Sequence, residues 1–135
     1  VLCLALVGLW FTHPIGQKVL IFPVIFHGSG FVTSLFSGLV GRKWLAGKNV
    51  LLKSIAVFLM CYSGTVIGAC LADWYSLLFY STPAITWKLL AFTAPVERVV
   101  FALGSTIIGV PLLYGLPKVG LQVGPAPVEE DDEEE

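Results

Sequence analysis

KVLIFPVIFHGSGFVTSLFSGLVGRKWLAGKNVLLKSIAVFLMCYSGTVIGACLAD, residues 18–73, decides the fold class of this chain. No charged side chain lies between Lys18 and Arg42, and none between Lys53 and Asp73. An α-helix rises about 1.5 Å per residue and the hydrocarbon core of a bilayer is about 30 Å thick, so about 20 uncharged, mostly apolar residues are needed to cross it. Both runs meet that length. Lipid offers no partners to backbone N–H and C=O groups, so a crossing segment is a helix or a strand of a closed barrel. The runs are continuous and do not alternate between apolar and polar residues, which predicts helices. The expected fold class is an all-α integral membrane bundle.

The whole chain agrees with this reading. Its 135 residues are 56% hydrophobic and 13% charged, with a mean hydropathy of +0.86. Soluble domains carry charge on roughly a quarter of their residues. The net charge of -1 conceals a division, since seven of the nine acidic residues lie in residues 129–135. The rest of the chain sets eight Lys or Arg against Asp73 and Glu97. A run of carboxylates repels itself and has nothing apolar to bury, so the tail is expected to be disordered. A solvated terminus is the plainer reading of it, and a docking or cation-attracting tail is the alternative. Cys3, Cys61 and Cys70 lie in apolar surroundings without metal-ligand spacing and read as buried thiols.

Outward from the central stretch the chain divides into three parts. Residues 1–17 read as a truncated or processed apolar segment beginning at Val1 and an interfacial turn at Thr12-His13-Pro14. That segment reads as the end of a longer membrane helix or as the apolar core of a targeting peptide. Residues 18–119 form the transmembrane domain, with about four expected spans at 19–41, 54–72, 75–92 and 99–116. Residues 120–135 are a Gly/Pro-rich linker and the acidic tail. Pro23 predicts a bend in the first span, because proline removes one intrahelical hydrogen bond and its ring presses on the preceding turn. Gly30, Ser34 and Gly38 recur every four residues there, and Gly64, Gly68 and Ala72 do so in the second span. Small residues at that spacing let helices approach closely in lipid, so the two stripes are expected to pack together.

Arg42, Lys43, Lys48 and Lys53 surround the loop between these spans, which places that loop on the cytoplasmic side or its topological equivalent. Thr93-Ala94-Pro95 reads as a turn, with Pro95 and Glu97 suited to the start of the next helix. With four crossings, the loop around residues 88–98 shares the side of the basic loop and the tail takes the opposite one.

No Walker loop, dinucleotide fingerprint, HExxH or CxxC motif is present, and two histidines in an apolar chain assemble no Ser-His-Asp set. The reading is of a protein that is not an enzyme and holds no metal. Its basic residues sit at helix ends without interleaved aromatics, which gives nucleic-acid binding no support. His27 stands out. Counted from Lys18 along a helix it lies about 13 Å into the first span. Ionisable groups at that depth are costly and commonly face a cavity or an ion path. Three readings stay open: a pore or cavity formed with Gly28, Gly30 and Ser34, axial ligation of a tetrapyrrole, or a neutral imidazole hydrogen-bonded to a neighbouring helix. Arg42, Lys43 and Arg98 are candidates for contact with lipid phosphate, and Glu97-Arg98 also reads as an interfacial capping pair.

His13-Pro14-Ile15, the apolar stretch after it, Gly28-Ser29, Leu35 and Gly38 resemble the second membrane helix of the trimeric intracellular cation channels. Leu52, Val57, Leu59 and Tyr62 are similar to the third helix of that family, and Val96, Arg98, Ala102 and Gly104 to its basic gating segment. The resemblance implies a pore-lining helix bent at glycine, a homo-oligomer, conduction of a cation such as potassium, and an intracellular or organelle membrane. The family has seven helices in two repeats of three plus one, and this chain spans about one repeat. Ala94 or Pro95 stands where the gating lysine belongs, and the tail is acidic where the family's is usually basic. The competing expectation is a non-catalytic structural subunit of a larger photosynthetic or respiratory membrane complex, in contact with lipid and partner chains.

Overall fold

The structure, a computed structural model, describes residues 2–80 and 82–121, with the side chains of Leu2 and Cys3 excepted. The described residues are helical with no strand. A short helix α1 (Leu2–Trp10) ends where the Thr12 hydroxyl donates to the Leu9 carbonyl at 2.7 Å. Helix α2 (Pro14–Lys18) is a single turn. His13 caps it by accepting the Ile15 N–H on Nδ1 at 3.3 Å, and Pro14 fills a first-turn position where no N–H is required. Gly16 lies against the Trp10 carbonyl so closely that a Cβ there would overlap it, which fixes the reversal between the two helices.

A π-helical turn, Pro23–His27, leads directly into α3 (Gly28–Ala46). Pro23 has no N–H to give, and the Gly28 N–H reaches back five residues to the Pro23 carbonyl. The expected irregularity at Pro23 is therefore an inserted residue in the helix. Asn49 then starts α4 (Val50–Phe79), its Oδ1 accepting from Leu51 and Leu52 at 2.9 and 3.3 Å. After a break at residues 80–83, α5 (Ala84–Gly115) runs on into a 3-10 turn (Leu116–Val119).

Among the described residues, three helices are long and apolar enough to cross a membrane: Pro23–Ala46, Val50–Phe79 and Ala84–Val119. The expectation of four spans is corrected here. The segments read as the third and fourth spans are one helix, and the expected turn at Thr93-Ala94-Pro95 is absent. Proline removes only one hydrogen bond, whereas a turn in an apolar setting leaves several backbone groups without partners, so the helix continues through Pro95 and Pro111. Glu97 and Arg98 accordingly lie near the middle of α5 and do not open a helix. Lys53 sits over the Tyr114 ring at 4.8 Å, and a Cβ on Gly109 would meet Val57, so α4 and α5 are antiparallel neighbours. With three long helices, Lys118 ends beside the basic loop and not opposite it.

The packing of α3 on α4 also differs from the expected pairing of small stripes. Gly30 is buried, and a Cβ on it would overlap the Cγ1 of fully buried Val66. Gly38, Gly64, Gly68 and Ala72 are exposed, and the three glycines have open space where a Cβ would go. The face of α4 that packs inward carries Tyr62, Val66, Cys70 and Leu77. Two residues of offset, about 200° around a helix, separate that face from the glycine stripe. Small meets large across this interface. Cys61 is half-buried, Cys70 is buried, and the acidic tail lies outside the described residues.

Candidate functional site

The buried core gathers at the end of the bundle where the π-helical turn, the C-terminal part of α4 and the start of α5 meet. Trp10, Phe22, Phe26 and Trp87 are each at most 2% exposed there. Trp10 stacks edge-on to Trp87 with centroids 4.9 Å apart and lies 5.2 Å from Phe22, which is itself 5.2 Å from Trp87. Offset and edge-to-face pairs of this kind contribute about 0.5–1.5 kcal/mol each beyond area burial.

His27 sits inside this aromatic cluster at 1% exposure. Its ring centroid is 5.6 Å from that of Trp10, 5.3 Å from Phe22 and 5.7 Å from Phe26. Its Nε2 lies 3.3 Å from Oδ2 of Asp73 on α4, whose side chain is 21% exposed. The Nδ1 atom is buried and has no hydrogen-bond partner among the described residues, and the same holds for the indole Nε1 of Trp10 and of Trp87. An Nε2–H donor to the carboxylate leaves Nδ1 as a bare acceptor. Beside the pair, the Ser29 hydroxyl donates to the Phe26 carbonyl at 2.7 Å and accepts from the Tyr62 hydroxyl at 2.9 Å. The His27–Asp73 and Ser29–Tyr62 contacts thus tie the segment around the start of α3 to α4 twice.

Val19 and Leu20 are not helical, so His27 lies six residues past the start of the helix at Ile21, about 9 Å along it. On α4, Asp73 closes an uncharged run that begins after Lys53, about 30 Å away. The pair therefore closes the uncharged stretch of α4 at the end away from the basic loop.

Of the proposed cavity residues, His27 ends the π-helical turn, Gly28 and Gly30 lie in the first turn of α3, and Ser34 follows one turn later, half-buried. Gly30 is filled by Val66, and the imidazole is enclosed by rings. Axial ligation of a tetrapyrrole needs an imidazole nitrogen facing open space, whereas here Nε2 faces a carboxylate in a ring that is 1% exposed. A groove of about 220 Å³ lies elsewhere, between α4 and α5, lined by Ser54, Ile55, Phe58, Leu103 and Thr106.

The candidates for phosphate contact separate into two groups. Arg42 and Lys43 are exposed at the end of α3. Arg98 lies sixteen residues before Tyr114 on α5, about 24 Å from the basic loop. Its guanidinium is 5.7 Å from the Phe101 ring centroid and 4.0 Å from Glu97, and its buried Nε has no partner among the described residues. Adjacent residues on a helix do not face each other, so Glu97 is a poor counter-ion for it.

Sequence reasoning left Asp73 between the expected spans 54–72 and 75–92 and missed it as the partner of His27. Hairpin arithmetic offered the signal, because a turn centred near Lys48 brings residue 27 opposite about residue 70. No protein-family model, curated protein or solved structure matches the chain.

Proposed function

We propose that this chain is an integral membrane protein acting as a non-catalytic subunit of a larger assembly, with α5 as the helix that meets its partners. The observation that carries this reading is the unburied apolar face of α5. Only 11% of its membrane-length window is buried by the rest of the chain. Ile85, Leu89, Phe92, Val96, Val100, Leu103 and Ile107 follow one helical face and are exposed, and exposed apolar side chains continue to Val119. From Ile85 to Ile107 that face extends about 33 Å, about the thickness of a hydrocarbon core. The rest of the chain covers almost none of it, which leaves a membrane-length apolar face free for a partner helix.

A second reading, conduction of a cation by a homo-oligomer, draws support from the His27–Asp73 pair and from the resemblance to the trimeric intracellular cation channels. Ionisable pairs in membrane helices often mark ion paths. In this reading the path runs between copies and Asp73, 21% exposed, is the member of the pair that faces it, because His27 is enclosed within one chain. Purification from native membranes in mild detergent tests both. Stoichiometric association with other chains is the expected result, and a colourless homo-oligomer that carries cation current in bilayers favours the second reading. A purified monomer with neither partner nor current would overturn both.

A further inference from the structure

Arg42, Lys43, Lys48, Lys53 and Lys118 collect at one end of the bundle, brought together by the turn between α3 and α4 and by the contact of Lys53 with Tyr114, four residues before Lys118. The acids among the described residues are Asp73 and Glu97. Both lie toward the other end, beside His27 and Arg98. No carboxylate among the described residues lies within ion-pairing distance of any of the five cations. The described chain leaves at Leu121 from this same end, two residues beyond the 3-10 turn that carries Lys118.

We propose that this basic end is a docking surface for the chain's own acidic segment, residues 129–135. The charges are complementary, seven carboxylates against five cations. The reach is sufficient, since the seven residues 122–128 extend at most about 25 Å. Tethering replaces encounter between molecules by a local concentration of about millimolar when the connection is short, so individually weak ion pairs suffice. The continuity of α5 decides the matter. A turn at Pro95 would have sent the tail to the opposite side, whereas one uninterrupted helix delivers it to the cations. Docking more than neutralises this end of the protein and withdraws it from phosphate headgroups. The contact is screened by salt, the Debye length falling from about 8 Å at physiological ionic strength to about 3 Å at 1 M.

Zero-length carbodiimide cross-linking of the full chain in neutral detergent micelles, with peptide mapping of the monomer band, tests the proposal. Amide links from residues 129–135 to Lys43, Lys48, Lys53 or Lys118 are expected, at least tenfold weaker in 1 M NaCl. Lys18 and Lys88, at the other end, serve as internal controls. Absence of the links, equal yield at the controls, insensitivity to salt, or links confined to a dimer band each overturn it. In phosphatidylglycerol vesicles, retention of the links supports the tail as occupant. Their loss there assigns the surface to lipid phosphate and overturns the proposal.

Discussion

Gly30→Ala should loosen the α3–α4 pair, by an amount that follows from what surrounds it. A methyl group at residue 30 would lie 3.0 Å from the Cβ of Val66 and closer still to its Cγ1. Val66 is 0% exposed and β-branched, so it has little freedom to turn away. Overpacking of this kind costs about 1–3 kcal/mol, and the better helix propensity of alanine returns up to about 1 kcal/mol. A net loss of about 1–2 kcal/mol is expected. Val66→Ala alone should lose about 1–2 kcal/mol through the cavity it opens, since packing and not transfer from water holds helices together in lipid. In the double variant each change relieves the other, so its loss should fall below the sum of the singles by about 1–2 kcal/mol. Reversible unfolding in mixed micelles, followed by tryptophan fluorescence, measures all four states of the cycle. A neutral Gly30→Ala, or strictly additive singles, refutes the small-against-large interface.

Two further outcomes are expected. Asp73→Leu and His27→Leu should each destabilise by about 1–2 kcal/mol, the scale of polar contacts between membrane helices. Their double variant should lose less than the sum, and additivity in the same titration would show that the 3.3 Å contact contributes nothing. In a background with Cys3, Cys61 and Cys70 replaced by alanine, Lys48→Cys and Lys118→Cys should react with an impermeant maleimide from one side of sealed vesicles. Lys88→Cys should react from the other, and labelling of Lys88→Cys on the side of Lys48→Cys restores the four-span topology.

Much of the architecture was legible because lipid imposes a simple length criterion. The uncharged runs on either side of the Arg42–Lys53 loop became helices, and His27 drew notice as an ionisable residue in an apolar segment. Three features were not legible. Pro95 was read by a rule that holds where water can take up freed backbone groups, and α5 runs through it. The Gly64-Gly68-Ala72 spacing identified a face without identifying what meets it, and the structure turns that face outward while Val66 fills the hollow at Gly30. Asp73 and Trp10 lie 46 and 17 residues from His27 in sequence, so their convergence depends on chain reversals that periodicity does not reveal.

The π-helical turn at Pro23–His27 acts as a phase shift in the helix. Each residue advances the direction of a side chain by about 100°, so one inserted residue re-aims everything upstream by about that angle relative to α3. Gly30 can therefore face Val66 while Phe22 faces Trp10 and Trp87, an assignment of directions specific to this phase. Deleting a single residue from the turn would leave a regular, hydrogen-bonded helix of ordinary composition. It would also swing residues 2–22 about a third of the way around the axis of α3, parting the aromatic cluster from the imidazole it encloses.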